Sequence, residues 1–114
     1  MPKIVDRKYF RQFFTKGAKP HVIKMFSDSC GVCHELEPDY NRLAQELGEQ
    51  YEFVKFDVDT DDQVAELMAV DGVPTIHVFK DEQIHEIKYS DAGYSYDYLK
   101  ESILNETNLK KDGE

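Results

Sequence analysis

Apolar positions recur along the chain with two periods. Between Asp6 and Lys16, Tyr9, Phe10, Phe13 and Phe14 fall at helical spacing, with Gly17 as a stop. Lys19-Pro20 breaks the pattern, and Val22-Ile23-Lys24-Met25-Phe26 reads as a buried strand. From Cys33, the positions Leu36, Tyr40, Leu43, Ala44 and Leu47 make one face of a helix that ends at Gly48, with Pro38 inside it as a kink. Phe53 to Val58 alternates as a second strand, with Val54, Phe56 and Val58 on one face and Lys55 and Asp57 on the other.

Thr60-Asp61-Asp62-Gln63 matches a capping box, followed by Val64, Leu67 and Met68 at helical spacing. Gly72-Val73-Pro74 interrupts. Thr75 to Phe79 is a third strand, Asp81-Glu82 a turn, and Ile84 to Tyr89 a fourth strand of weak alternation at a sheet edge. Ser95 caps a last helix bearing Leu99, Ile103 and Leu104. The order α-β-α-β-α-β-β-α contains a crossover that demands parallel strands and a short connection that demands a hairpin. The fold class is therefore α/β: a mixed sheet with helices on both faces. One domain spans residues 1–107, and 108–114 form a polar, flexible tail.

The chain has 114 residues, 40% of them apolar, which is enough for a core without staples. Its net charge of −9, from 23 acids against 14 bases without a basic stripe, speaks against nucleic acid or an anionic membrane as partner. Met1-Pro2-Lys3-Ile4-Val5-Asp6 has no apolar leader character, and no long apolar stretch follows, so a cytoplasmic protein is expected. In a reducing compartment a lone cysteine pair is more often catalytic or metal-binding than structural.

The two cysteines form Cys30-Gly31-Val32-Cys33, between the first strand and the amphipathic helix. Thiols three residues apart at a helix mouth can close a small disulfide and reopen it. The first sulfur lies near unpaired N–H groups and the positive end of the helix dipole, which stabilise its thiolate. Two other chemistries share these residues. Cys30-Gly31-Val32-Cys33-His34 satisfies the covalent haem pattern C-x-x-C-H, with His34 as axial ligand, but such proteins mature outside the cytosol. Zinc would need two of His21, His34, His77 and His85 beside the cysteines, and no histidine pair has the spacing of a finger. His77 and His85 read instead as ordinary strand or surface histidines.

The motif and the element order together resemble thioredoxin, over roughly residues 4 to 106. Four features carry the resemblance. Cys30-Gly31-Val32-Cys33 follows a buried strand, and Pro38 lies where the family kinks its helix. Phe53-Val54-Lys55-Phe56-Asp57-Val58-Asp59 looks like the family's second central strand. Val73-Pro74-Thr75 looks like its cis-proline loop, with Pro74 at 41 residues after Cys33.

The resemblance implies a thioredoxin fold and a thiol–disulfide oxidoreductase that reduces or exchanges disulfides in protein substrates. Cys30 attacks, Cys33 resolves, and Val73, Pro74 and Gly93 meet the substrate. No organic cofactor is implied, since a reductase such as thioredoxin reductase, or a small thiol such as glutathione, would supply electrons; a monomer is expected. Glutaredoxin-like use of glutathione is a neighbouring reading. A third is a binding module of the same fold with little turnover.

Departures from the family surround the motif. Ser29 stands where a tryptophan is usual, Val32 replaces the proline of Gly-Pro, and His34 replaces a lysine and can tune the site when protonated. Asp81-Glu82 replaces a glycine in the last hairpin. Lys24 stands where the family keeps a buried carboxylate that pairs with the residue at Lys55. A charged Lys24 would lower the pKa of Cys33; its ammonium could otherwise snorkel to the sheet edge or pair with Asp57.

Overall fold

The computed structural model describes residues 2–14, 17–90 and 93–109. In chain order the elements are β1 (Lys3–Ile4), a 3₁₀ segment (Arg7–Phe14), β2 (His21–Phe26), α1 (Gly31–Leu47) and β3 (Glu52–Asp57). A 3₁₀ turn (Val58–Thr60), α2 (Asp62–Leu67), β4 (Thr75–Lys80), β5 (Gln83–Ile87) and α3 (Tyr96–Leu109) follow. The five strands lie in the order β1-β3-β2-β4-β5. β1, β3 and β2 are parallel, while β4 runs antiparallel to both β2 and β5. The sheet is mixed and the hairpin joins the last two strands, with β5 at the edge, as the order of apolar segments requires.

Every residue of β2 is buried, which is why its sequence is an almost unbroken apolar run. Its two faces pack against different layers. Val22, with Phe53, Ile76, Val78 and Ile87, meets Leu36, Tyr40, Leu43 and Leu47 of α1 and Leu99 and Ile103 of α3. Ile23 and Met25, with Val54, Phe56 and Phe79, meet Val64 of α2 and the flanks of Tyr9 and Phe10. The Tyr40 hydroxyl shares its proton between the carbonyls of Val22 and Val54, at 2.9 and 2.7 Å, and so ties α1 to both central strands.

Several boundaries differ from the sequence reading. The N-terminal helix is a 3₁₀ segment in which aromatics with weak α-helix preference pack edge-on against the sheet, Tyr9 on His21 and Phe10 on Phe56. The side chains of Phe13 and Phe14, and Lys16 entirely, lie outside the described residues. Two-residue β1 is too short and too exposed to show any alternation. Helix α1 begins at Gly31 rather than Cys33, because Cys30 is its cap.

The capping box is displaced by one residue. Thr60 Oγ1 donates back to the Asp57 carbonyl at 2.7 Å, so the Asp61 carboxylate caps α2 by accepting from the Val64 N–H. Gln63 turns to Arg7 instead, which also forks onto Asp61 at 2.6 and 2.8 Å. Leu67 is 85% exposed and no part of the core. Val58 belongs to the turn, and β5 ends at Ile87, two residues before the expected Tyr89. Ser95 caps α3 through the Tyr98 N–H. Helix α3 reaches Leu109, into the stretch read as a tail, and residues 110–114 lie outside the described residues.

His77 sits on β4 opposite Ile23, 3% exposed, and its Nδ1 has no hydrogen-bond partner among the described residues. Burial pushes its pKa down to about 4. The unfolded chain, with an ordinary histidine near 6.5, therefore binds a proton that the native state refuses between these two values. Stability is full above about pH 6.5 and falls as the pH drops toward 4, by about 3 kcal/mol from this group. Urea unfolding at pH 7, 5.5 and 4 is expected to show this loss, and His77→Gln to remove it. Equal losses in parent and variant would refute the assignment.

Candidate active site

The chain leaves β2 through Ser27, turns at Asp28-Ser29, and reaches Cys30 in an extended conformation (φ −90°, ψ 108°) as the N-cap of α1. The Cys30 N–H donates to the Ser27 carbonyl at 3.1 Å, which closes the turn. Cys30 and Cys33 are joined in a disulfide with Cα atoms 5.2 Å apart. The Cys33 N–H points at Cys30 Sγ, at 3.1 Å. Sulfur thus takes the place of the usual oxygen cap, where unpaired N–H groups and the helix dipole favour negative charge. Cys30 is half-buried, while Cys33 is 2% exposed beneath the first turn.

The Val73–Pro74 peptide is cis, and the Val73 carbonyl oxygen lies 3.7 Å from Cys30 Sγ. The loop therefore sits beside the sulfur that caps the helix. Two shallow grooves flank it, of about 270 and 210 Å³, and both are lined by Tyr89 and Tyr94; the first runs along Val73-Pro74-Thr75, the second past Val32 and Gly93. Gly93 has φ +83°, the left-handed region that favours glycine, and a Cβ there would lie 3.2 Å from the Tyr89 hydroxyl. The Tyr94 hydroxyl donates to the Ile87 carbonyl at 2.6 Å and fixes this wall to the end of β5. Val32 and Tyr89 are exposed apolar surface lining the second groove.

Ser29 and Gly31 are exposed. The Ser29 hydroxyl meets Ser27 Oγ at 3.1 Å, and Ser27 Oγ donates to Asp59 at 2.6 Å. His34 is exposed, and its Nε2 contacts the Asp28 carbonyl at 2.8 Å, which braces the turn before the motif. Among the described residues no group of three or more His, Cys, Asp and Glu side chains is arranged to hold a metal ion.

Behind Cys33 lies a feature that the sequence reading missed. Lys24 is 1% exposed; its Nζ donates to the Cys33 carbonyl at 3.0 Å and forms a short ion pair with Glu37. Lys55, opposite Lys24 on β3, pairs with the other oxygen of the same carboxylate. Asp57 is not the partner of Lys24: it caps the following turn by accepting from the Asp59 N–H at 3.0 Å. Nor does Lys24 snorkel, because its ammonium lies between the rings of Phe26 and Tyr40 at 5.9 and 5.6 Å.

Desolvation, the largest influence on Lys24, pulls its pKa below the usual lysine value against the pull of Glu37. Burial alone would raise Glu37, but hydrogen bonds and charges from Lys24 and Lys55 outweigh it and hold the carboxyl below its ordinary range. A helical projection would have found this residue. Glu37 is one turn after Cys33 and three residues before Tyr40, on the face that meets two lysines in register.

The sequence profile of the Thioredoxin family matches residues 1–105. A thioredoxin of Echinococcus granulosus is 40% identical over 80 residues, covering 68% of this chain and 74% of that protein. One from Rhodospirillum rubrum is 29% identical over 86 residues, covering 75% of this chain and 83% of the relative. Among solved structures, oxidised mitochondrial thioredoxin 3 of Saccharomyces cerevisiae superposes with a TM-score of 0.76 at 26% identity. That superposition covers 92% of this chain and 94% of the other.

The ion-pair geometry makes an asymmetric prediction about stability. Removing Glu37 leaves Lys24 buried without its anion, whereas removing Lys24 leaves Glu37 with Lys55 and access to water. Glu37→Gln is expected to cost about 2–3 kcal/mol, Lys24→Met clearly less, and the double variant to recover most of the Glu37→Gln loss. Chemical unfolding of the four proteins as a double-mutant cycle measures this. Additive losses would show that the pair does not interact.

Proposed function

Because this chain belongs to the thioredoxin family and is a thiol–disulfide oxidoreductase, we infer that it reduces or exchanges disulfides presented on extended protein segments, with Cys30 as the attacking thiol and Cys33 as the resolving one. The observation that carries this division is the unequal setting of the two sulfurs. Cys30 caps α1 at the surface beside the Val73 carbonyl, and Cys33 is enclosed one turn in.

In the reduced protein, the Cys33 N–H and the helix dipole stabilise a Cys30 thiolate. That thiolate attacks one sulfur of the substrate disulfide, forming a mixed disulfide and expelling the other sulfur as a thiolate that takes up a proton from water. Cys33, once deprotonated, attacks Cys30 Sγ and closes the ring, and the second substrate sulfur leaves as a thiolate. The substrate gains two electrons and the chain loses two. The Val73 backbone and the groove wall of Pro74, Tyr89 and Gly93 are suited to hold an extended substrate strand next to Cys30.

Family membership brings with it no need for a cofactor beyond the redox disulfide. A reductase of the thioredoxin reductase type or a small thiol such as glutathione would return the chain to the dithiol. A monomer in the cytoplasm, contributing to electron transport and redox homeostasis, is the setting that suits these properties. Among the described residues no helix is long and apolar enough to cross a membrane.

With dithiothreitol as donor, the protein is expected to accelerate the reductive precipitation of insulin, and a rate equal to the protein-free control would overturn an enzymatic role. The roles of the two sulfurs are tested by trapping. Cys33→Ser should accumulate covalent adducts with disulfide-bearing proteins, seen on non-reducing gels and dissolved by dithiothreitol, while Cys30→Ser should form few. Equal trapping by both variants would reverse or remove the division of labour.

A further inference from the structure

The resolving thiol has a difficulty of its own. Cys33 is 2% exposed, and burial disfavours the thiolate that must attack Cys30. The same enclosure contains a lysine paired with a carboxylate. Lys24 Nζ touches the Cys33 residue itself, at 3.0 Å from its carbonyl oxygen, and its side chain is 2% exposed. A charge so enclosed is weakly screened by water and salt.

We propose that Lys24 is a positioning residue that acts through Cys33: its ammonium stabilises the resolving thiolate, and Glu37 sets how strongly it does so. This rests on the reading of Cys33 as the resolving thiol. The ionisable groups on this face of the sheet define the local charge. Lys24 comes from β2, Lys55 and Asp57 from β3, and Glu37 from α1. Asp57 is turned to the Asp59 N–H, and the Tyr40 hydroxyl is engaged with two carbonyls. From β4 and β5 the same face presents Ile76 and Ile87 in register with Lys24 and, farther along the strands, Val78, Lys80 and His85, while α3 adds the uncharged Leu99 and Ile103. The trio Lys24, Lys55 and Glu37 sums to one positive charge, held against the backbone of the residue whose sulfur becomes negative.

The step affected is release of the mixed disulfide. The Cys33 thiol loses its proton to solvent, and its thiolate then forms a bond to Cys30 Sγ as the bond from Cys30 to the substrate sulfur breaks. The departing sulfide takes a proton from water, so the chain again gives up two electrons in all. Lys24 remains an ammonium throughout and exchanges nothing. It changes the fraction of Cys33 present as thiolate at a given pH.

The test uses the reduced full chain, mixed in a stopped-flow instrument with one equivalent of dithionitrobenzoate. The first coloured thiolate reports attack by Cys30, and the second reports release by Cys33. Cys33 is titrated in parallel by the carbon-13 shift of its Cβ. In Lys24→Met the midpoint of both profiles is expected to rise by about one pH unit. The second release at pH 7 should slow by about threefold, since a tenfold loss of thiolate is partly offset by greater intrinsic nucleophilicity. For the same reason the variant should overtake the parent at high pH, by about threefold. A packing defect would not produce that crossing. Lys24→Arg should keep the parental midpoint, because it keeps the charge.

An unchanged or lowered midpoint in Lys24→Met would overturn the proposal. Should Lys24→Met fail to fold, Lys24→Gln takes its place: a raised midpoint supports the proposal, and an unchanged or lower one refutes it. If the parent releases only one equivalent of coloured thiolate, the resolving role of Cys33 fails instead. Two equivalents with unmoved midpoints leave that role intact and remove only the part given to Lys24.

Discussion

A lysine at the centre of a fully buried strand constrains everything around it. Taking an ammonium out of water costs several kcal/mol unless an anion and hydrogen-bond acceptors meet it. The neighbouring strands offer Lys24 no anion: across β4 it faces Ile76, and across β3 it faces another lysine. The carboxylate has to come from the layer above, and α1 supplies it at Glu37. With Glu37 over Lys24 and Lys55, and Tyr40 one turn later bonded to the carbonyls of Val22 and Val54, α1 has only one register along the strands. Its N-terminus then falls at Gly31, with the Cys30 sulfur as cap. The position of the disulfide and the pairing of the buried cation are two ends of one rigid element.

The parts of this arrangement that the sequence reveals are those that depend on repeated patterns. β2 is legible because burial on both faces requires an unbroken apolar run, and α1 because four core residues recur at helical spacing. The cysteine motif announces its chemistry because that chemistry needs two sulfurs within bonding reach. What escapes is settled by single competing bonds. Thr60 or Asp61 could each have capped α2, and the choice falls to Asp61 because Thr60 finds a nearer acceptor in the Asp57 carbonyl. Lys24 invites Asp57 as its partner by proximity in sequence, yet Asp57 is already held by a turn N–H. Glu37 looks like one more acid on a solvated helix until both lysines beneath it are known to be in register.

The departures around the motif separate in the same way. Asp81 and Glu82 both adopt positive φ, 56° and 65°, the left-handed region a tight hairpin turn needs and non-glycine residues enter at a cost of about 1 kcal/mol each. That cost stays local, since the ladder between β4 and β5 continues to Lys80 and Gln83 on either side. Ser29 leaves the approach to Cys30 open and polar, while Val32 and Tyr89 provide exposed apolar surface in the groove that passes Gly93. These changes alter what the site meets and leave the sheet and its register as they are.

The charge at Lys24 belongs to a third kind, because the two redox states feel it differently. A disulfide carries no formal charge, so the ammonium and the oxidised pair hardly interact. The oxidised fold needs only that Glu37 and the rings of Phe26 and Tyr40 keep the cation satisfied. Reduction creates a sulfur that can become an anion in the same enclosure, and only then does the sign of the buried charge matter. A fold specified by apolar pattern and helix register can therefore carry either sign at this position. The chemistry of the buried thiol cannot be indifferent to the choice.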